Sequence, residues 1–146
     1  MPELPEVETV RTGLEKAWVG KQITKVILRR ENLRYPFPKD LVNRLEGSTI
    51  MSVRRRAKYL LIDTDSQEVL LSHLGMSGKY TLFDTEKVAN FDLGDSIKQS
   101  VFGEKTGFNG KHDHMEIRFA DGSISVYTDP RRFGIVKIFH LSLIHI

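Results

Sequence analysis

The amino terminus carries the residues with the most distinctive chemistry in the chain. Removal of Met1 would leave Pro2 as a free secondary amine, with the carboxylates of Glu3 and Glu6 one and four residues further on. An α-amino group has a pKa of about 7.7 to 8.0, against about 10.4 for lysine, so far more of it is nucleophilic at neutral pH. Such an amine can attack a carbon and hold it as an imine. Because a secondary amine gives a cationic iminium, the adjacent C–H bonds become acidic and elimination can follow.

The same segment also has a purely structural interpretation. Pro5 suits the first turn of a helix, and Glu6 and Glu8 suit the positive end of the helix dipole. In that case Pro2 is incidental. The other motifs of the chain have to decide between the two interpretations.

The hydrophobic pattern predicts the elements that would position these residues. Apolar residues at helical spacing predict a helix over residues 5–19, and Leu41, Val42 and Leu45 predict a short second helix. Asp121-Gly122 predicts a hairpin with a type I′ turn. The fold class is therefore mainly β with two helices, as a two-layered β-sandwich or flattened barrel flanked by helices. Strands are predicted over residues 23–29, 49–55, 59–63, 69–74, 79–83, 114–119, 123–127 and 135–139.

Two stretches depart from this pattern. Between Asp84 and Lys111 the apolar rhythm lapses and glycines accumulate, which predicts a loop insertion over residues 84–111. Residues 141–146 end on apolar side chains without a terminating signal and resemble translated sequencing-adapter sequence. We therefore expect one domain over residues 1–140 followed by an artefactual tail.

Composition narrows the class of protein. The chain of 146 residues fits one domain, and the absence of cysteine excludes disulfides and thiolate metal sites within it. No apolar run is as long as a membrane span or signal sequence, so we expect an intracellular protein without a membrane partner. The net charge is only +3, but three basic clusters indicate a phosphate-binding surface about as strongly as a solvated face. The clusters are Arg29, Arg30 and Arg34; Arg54, Arg55, Arg56 and Lys58; and Arg131 with Arg132.

Four segments, taken together, resemble one known family. In this order they resemble the N-terminal catalytic domain of the formamidopyrimidine-DNA glycosylases, bacterial enzymes that remove oxidised purines from DNA. The similarity runs from Met1 to about Phe139, apart from residues 84–111, a stretch roughly twenty residues longer than expected of the family. The segments are Pro2-Glu3-Leu4-Pro5-Glu6, Arg55-Arg56-Ala57-Lys58-Tyr59-Leu60-Leu61, His73-Leu74-Gly75-Met76-Ser77-Gly78 and Tyr127-Thr128-Asp129-Pro130-Arg131-Arg132-Phe133-Gly134.

The resemblance assigns catalytic roles to three residues. The mature Pro2 would attack C1′ of the damaged nucleotide, and Glu3 would assist ring opening and proton transfer. Lys58 matches the catalytic lysine near the lesion phosphates, where its cation stabilises charge. Glu6 matches a carboxylate near the active site, although the helix-dipole interpretation explains it equally well.

The resemblance also assigns DNA contacts. Met76 and Phe133, each on a turn, match residues that enter the base stack when a nucleotide is flipped out, and Arg131 matches the residue that hydrogen-bonds the orphaned partner base. His112 matches a phosphate contact. His114 and His73 are interpreted as structural, and no further ligand completes a metal site with His112 and His114.

The function implied by the resemblance is a bifunctional DNA glycosylase and abasic-site lyase of base excision repair. It would remove 8-oxoguanine and formamidopyrimidines and then break the strand by β,δ-elimination. The implied partner is damaged double-stranded DNA, bound by a monomer in the bacterial cytoplasm at the nucleoid. The family's helix-two-turn-helix and zinc-finger domains are missing from the 146 residues. We therefore expect no cofactor in this chain, zinc only in the missing finger, and weak duplex binding and poor turnover by the chain alone.

Three alternatives stay open at this point. The endonuclease VIII branch shares the proline chemistry but prefers oxidised pyrimidines, whereas Leu4 with intact Met76, Arg131 and Phe133 favours the purine branch. An N-terminal-proline tautomerase would explain Pro2 but would leave the basic clusters and the two turns without a role. A non-catalytic nucleic-acid-binding β domain would make Pro2 incidental.

Overall fold

The protein is built mainly from β-strands. The computed structural model describes residues 3–29, 33–84, 97–101 and 113–143. Its helices are α1 (Leu4–Trp18) and α2 (Leu41–Leu45), and a short 3-10 helix covers Leu141–Leu143. The strands within the described ranges are β1 (Ile23–Leu28), β2 (Ile50–Arg56), β3 (Tyr59–Thr64), β4 (Glu68–His73), β5 (Lys79–Asp84), β6 (Ile97–Val101), β7 (Asp113–Phe119), β8 (Ile124–Thr128) and β9 (Ile135–His140).

The strands form two sheets. One has the order β1-β7-β8-β5-β6 and the other the order β2-β3-β4-β9. Neighbouring strands are antiparallel except β5 and β6, which pair in parallel. The prediction of a mainly β fold with two helices and two layers is confirmed.

The chain passes between the two sheets twice at the same end of the strands. The connection from β4 to β5 leads from the four-stranded sheet to the five-stranded one, and the connection from β8 to β9 leads back. His73 pairs with Ile135 at one end of these connections, and Lys79 pairs with Thr128 at the other. Because the flanking strands are paired in both sheets, the two connecting turns must lie side by side.

Helix α1 covers the core with one face. Its buried residues include Val7, Val10, Leu14 and Trp18, which confirms the apolar stripe predicted from the sequence. The Trp18 indole N–H donates a hydrogen bond to Ser125 Oγ at 2.7 Å, and its ring meets Tyr80 edge to face at a centroid distance of 5.2 Å. These contacts fix the rotation of the helix, and the opposite face carries its charged residues.

The hairpin at Asp121-Gly122 is confirmed, but the predicted turn type is wrong. Gly122 has a φ of 91°, whereas Asp121 is not among the residues with positive φ. The N–H of Gly122 donates to the carbonyl of Phe119 at 3.0 Å, and Asp121 Oδ1 accepts the N–H of Ser123 at 2.9 Å. This is the pattern of a three-residue loop with a left-handed glycine, which the Asp121 side chain stabilises by bonding its own backbone.

Strand β6 was not predicted. It lies within residues 84–111, where the sequence indicated a loop insertion, and it extends the five-stranded sheet beside β5 with Tyr80 opposite Ile97. Ile97–Val101 carries both charged and polar residues among its five. The segment therefore lacks the alternation of apolar and polar residues that predicts a strand.

Within the described part of the chain, no helix is both long enough and apolar enough to cross a bilayer.

The buried position of Leu14 gives a test of this core. Leu14→Ala should lower the free energy of unfolding by about 2–5 kcal/mol, because Leu14 is fully buried and its truncation leaves a cavity. Urea denaturation of both proteins measures the difference. Leu141→Ala is the matched control, since Leu141 is 46% exposed, and it should change stability by less than about 0.5 kcal/mol. Equal losses in the two variants would contradict the assigned core.

Candidate active site and nucleic-acid interface

The first turn of α1 presents two exposed carboxylates. Glu3 is the N-cap residue, with extended backbone (φ −75°, ψ 163°), and its side chain makes no capping hydrogen bond to the helix. Its carbonyl accepts the N–H of Val7 at 3.1 Å. Glu3 and Glu6 are both exposed, so both carboxylates can reach a bound molecule. Pro2, to which the sequence assigns the nucleophile, lies outside the described residues.

Lys58 lies in the tight turn between β2 and β3. Arg56 pairs with Tyr59, so only Ala57 and Lys58 form the loop. Ala57 has a φ of 51°, a left-handed conformation that costs a residue with a Cβ of the order of 1 kcal/mol or more. Arg55 Nη1 donates to the Ala57 carbonyl at 3.1 Å, which supports this backbone. The turn thus holds the half-buried Lys58 at the end of the four-stranded sheet.

Glu8 ties α1 to this turn. Its Oε1 accepts Nε of Arg55 at 2.9 Å, and its carboxylate accepts Nε and Nη2 of Arg11 at 2.9 and 2.8 Å. Arg11 also donates to the carbonyl of Val53 at 3.2 Å. The hydrogen bonds from the two arginines lower the pKa of Glu8 to about 2. The sequence assigned Glu8 to the helix dipole, but its carboxylate also binds Arg11 within the helix and Arg55 on strand β2.

Met76 projects from the turn between β4 and β5. The N–H of Gly78 closes this turn on the carbonyl of Leu74 at 2.8 Å. Gly75 has a φ of 64°, and its N–H donates to Nδ1 of His73 at 3.0 Å. Met76 is 48% exposed. A large apolar side chain held out at a rigid turn can contact an apolar partner such as a base stack.

Phe133 and Arg131 project from the turn between β8 and β9. Phe133 is 44% exposed, and the guanidinium of Arg131 lies 5.4 Å from the centroid of its ring. Arg132, between them, has a φ of 56°, so the turn is fixed in an uncommon conformation. A planar apolar group with a fork of donors over it can both fill a gap in a stack and hydrogen-bond a base edge.

The two turns contact each other backbone to backbone. A Cβ added to Gly75 would lie 2.5 Å from the carbonyl carbon of Phe133, and one added to Gly134 would lie 2.0 Å from the Tyr127 hydroxyl oxygen. Only glycine fits these two positions. The structure therefore brings the turns of Met76, Arg131 and Phe133 together, although four of the described strands, β5 to β8, separate them in sequence.

A positive surface lies beside these turns. The ring of His73 meets that of Tyr59 at a centroid distance of 4.8 Å. Burial lowers the pKa of His73, and the positive charges of Lys58 and Arg34 lower it further. These three residues thus share one electrostatic environment. The sequence left the role of His73 ambiguous and favoured a structural one, whereas the structure places it next to two cations, on a surface suited to an anion.

The basic clusters prove to be partly structural. Arg54 donates to Asp63 at 2.6 and 2.8 Å, and Arg29 donates to the buried Glu116 at 2.6 Å. Arg54 thus joins β2 to β3, Arg29 joins the end of β1 to β7, and Arg55 joins β2 to helix α1. In the first two clusters, some of the arginines are therefore held by carboxylates and are not available to phosphate. Among the described members of the three clusters, the side chains with no carboxylate within ion-pair distance are Arg34, Arg56, Lys58, Arg131 and Arg132.

No metal centre is found around the histidines that the structure describes. His112, which the resemblance assigns to a phosphate, lies outside the described residues. His114 is buried on β7, and its Nε2 lies 2.8 Å from the carbonyl oxygen of Asp129. No group of three or more histidines, cysteines or carboxylates suited to a metal ion occurs in the described ranges.

The fold is that of a domain found in a family of DNA-repair proteins. The family model described as the formamidopyrimidine-DNA glycosylase N-terminal domain matches residues 1–136, and the chain belongs to this family. The formamidopyrimidine-DNA glycosylase of Methylorubrum extorquens is 46% identical over 138 residues, which are 94% of this chain and 44% of that protein. The chain thus spans less than half the length of this relative.

Solved structures agree with this assignment. The formamidopyrimidine-DNA glycosylase of Lactococcus lactis, non-covalently bound to DNA that contains an abasic site, is 34% identical with a TM-score of 0.73. That match covers 98% of this chain and 47% of the other. A second structure of the Lactococcus lactis protein, in complex with DNA that contains a formamidopyrimidine-dG lesion, is 33% identical with a TM-score of 0.71 and covers 96% and 45% of the two chains.

The close approach of the two turns gives a paired test. Gly47→Ala should cost about 1 kcal/mol of unfolding free energy, because Gly47 has a φ of 88° but no atom within 4 Å of an added Cβ. Gly75→Ala carries the same conformational cost, and its Cβ also meets the Phe133 backbone at 2.5 Å. It should therefore lose a further ~1–3 kcal/mol. Urea denaturation measures both, and equal losses would contradict the contact between the turns.

The network at Glu8 predicts a pH dependence. Glu8→Gln should lower stability at pH 7 by about 1 kcal/mol or less, since the Glu8 side chain is 43% exposed and solvent screens its ion pairs. Because folding lowers the pKa of Glu8 from 4.5 to about 2, this contribution is complete above pH 4.5 and is lost as the pH falls through about 2. Urea denaturation of both proteins between pH 7 and 2 measures the difference.

The control for this prediction is Glu15→Gln. Glu15 makes one contact with the same Arg11, at 3.3 Å, so its replacement should cost less than that of Glu8. A constant difference between the parent and Glu8→Gln across the whole pH range would show that Glu8 is not held ionised by its partners.

Proposed function

We propose that this chain is the catalytic part of a DNA glycosylase of base excision repair. It removes oxidised purines such as 8-oxoguanine and formamidopyrimidines, and it then cleaves the DNA strand at the resulting abasic site. The observation that carries the proposal is the pair of exposed apolar residues, Met76 and Phe133, on two interlocked turns beside a positive surface. This combination suits a base stack next to a phosphate backbone, and the solved relatives at this similarity are bound to DNA with an abasic site or a formamidopyrimidine lesion.

The positive surface supplies the grip on DNA. Lys58 and Arg34 are the two cations whose charges act on His73. Phosphate contacts of this kind position a duplex without reading its sequence. They would place the sugar of the damaged nucleotide between the β2–β3 turn and the amino terminus.

The two turns supply the base flipping. A glycosylase must take its target base out of the stack, which leaves a gap opposite an unpaired partner. Met76 and Phe133 fill that gap, because apolar side chains inserted between base steps replace part of the lost stacking. Arg131, above the Phe133 ring, hydrogen-bonds the orphaned base.

The amino terminus supplies the chemistry. The nitrogen of mature Pro2 attacks C1′ while the glycosidic bond breaks with its electron pair on the departing base, and the base takes up the proton that the amine loses. Glu3 then protonates O4′ as the C1′–O4′ bond breaks, which opens the sugar ring and leaves a C1′ iminium on Pro2. The resulting iminium acidifies the proton on C2′. Its removal expels the 3′ phosphate, and a second elimination expels the 5′ phosphate. The cation of Lys58 stabilises the negative charge that develops next to the sugar.

Borohydride trapping tests this proposal. The chain should form a covalent adduct with DNA that contains an abasic site, because borohydride reduces the iminium to a stable amine, and mass spectrometry should locate the sugar on Pro2. A high protein concentration and a single turnover are appropriate, since the chain covers less than half of its relatives. A version that retains Met1 should give no adduct.

Pro5→Ala is the matched control, because it removes a proline from the same segment without touching the terminal amine. It should trap DNA as the parent does. An adduct on any other side chain, or equal trapping with Met1 retained, would overturn the proposal. A complete lack of trapping with retained turnover of a small acid would favour the N-terminal-proline tautomerase.

A further inference from the structure

The turns of Met76 and Phe133 share one buried carboxylate. Asp129 is fully buried at the beginning of the β8–β9 turn. Its Oδ1 accepts the Ser77 hydroxyl at 2.6 Å and the N–H of Arg132 at 3.1 Å. Its Oδ2 accepts the N–H of Gly134 at 2.8 Å and the Tyr127 hydroxyl at 3.0 Å. Two donors on each oxygen satisfy the carboxylate, which is the condition for burying such a group.

Ser77 is the link between the two turns. Its hydroxyl donates to Asp129, and its Oγ accepts the N–H of Arg131 at 3.0 Å. Ser77 follows Met76 directly, whereas Arg131 precedes Phe133 by two residues. One hydroxyl thus joins the backbone next to Met76 to the backbone next to Phe133, and we call these two exposed side chains the wedges.

The opposite side of the carboxylate is equally fixed. Burial and the nearby charge of Asp129 raise the pKa of Tyr127, so its hydroxyl stays protonated and donates. The Tyr127 ring packs on Tyr80 at a centroid distance of 5.0 Å, and the Tyr80 hydroxyl lies 2.6 Å from Ser72 Oγ. The carboxylate is therefore anchored in the core rather than carried by the turns alone.

We propose that Ser77 and Asp129 are positioning residues that hold the two wedges at a fixed separation before DNA binds. The inference rests on the proposed base-flipping function. Neither residue need touch DNA, because each acts through the turn that it holds. Two wedges that are ordered in advance lose less conformational entropy when they enter the stack together. The rate of the step that needs both is therefore higher than it would be for two mobile turns.

This role predicts a difference between duplex and single-stranded substrates. A duplex with an abasic site has an orphaned base and a stack that the wedges must enter. Single-stranded DNA with the same abasic site has neither, and the terminal amine can reach its sugar without the wedges. Loss of the link should therefore slow trapping on the duplex alone, whereas a general loss of structure would slow trapping on both.

The experiment compares borohydride-trapping rates of Ser77→Ala and the parent chain on the two substrates. Ser77→Ala should trap the duplex about tenfold more slowly, as expected for a lost hydrogen bond to a charged group, and single-stranded DNA within about twofold of the parent. Ser77→Thr, which keeps a hydroxyl, should restore duplex trapping. Ser52→Ala is the matched control, since Ser52 makes a similar hydrogen bond to Asp63, at 2.5 Å, away from the two turns.

The outcomes separate the two proposals. Duplex trapping by Ser77→Ala at the parent rate, or equal slowing on both substrates, would overturn the positioning role and leave the proposed function intact. If the parent chain trapped neither substrate, the proposed function would fail and the positioning role with it. Asp129→Asn adds a more severe variant, and it should reduce the ratio of duplex to single-strand trapping further than Ser77→Ala does.

Discussion

The meeting of two turns at one end of the sandwich is the constraint on which the rest of the site depends. The chain crosses between the sheets at the β4–β5 turn and again at the β8–β9 turn, and the strands on either side of both crossings are paired with each other. Pairing in both sheets leaves the two turns little room to separate. Gly75 and Gly134 follow from this, because any Cβ at either position would collide with the facing turn or with Tyr127.

Asp129 supplies the hydrogen-bond acceptors that the closely packed turns require. Tight turns leave backbone N–H groups without strand partners, and buried N–H groups need acceptors. The carboxylate of Asp129 accepts two of them, from Arg132 and Gly134, together with two hydroxyl groups. One buried acidic side chain thereby closes the end of the sandwich and leaves Met76 and Phe133 exposed on its outer surface. The polar groups are satisfied inside, and the apolar groups face outward, which reverses the usual arrangement at a protein surface.

Much of the fold follows from local patterns in the sequence. The stripe of α1 and the strand segments are set by side chains a few residues apart, so their periodicity is legible without a structure. Strand β6 has no such pattern, and it pairs only because β5 offers it an edge. The turn at Asp121 was mistaken because its side chain bonds the local backbone, which favours a three-residue loop over the type I′ turn.

Less of the candidate site than of the fold could be predicted from the sequence. Met76, Arg131 and Phe133 stand out because they lie next to glycines or prolines in turns, where core residues are rare. The partners of the arginines could not be read in this way, since Arg54 with Asp63 and Arg55 with Glu8 are pairs made by tertiary structure. Likewise, Asp129 before Pro130 is an ordinary turn signal in the sequence. Only the packing of the second turn against it shows that the carboxylate joins both.

The exposure of Met76 and Phe133 argues that the surface is completed by a partner. Each leaves nearly half of a large apolar side chain in water, at 48% and 44%, on turns that are too rigid to fold it inward. Solvation of that surface is unfavourable at about 25 cal/mol for each Å² exposed, and the chain would lose nothing in folding by carrying polar residues there. Insertion into a base stack removes the same surface from water. The rigidity that keeps these side chains exposed in the free protein would therefore also favour the proposed insertion into DNA, since little further ordering would be required when the stack opens.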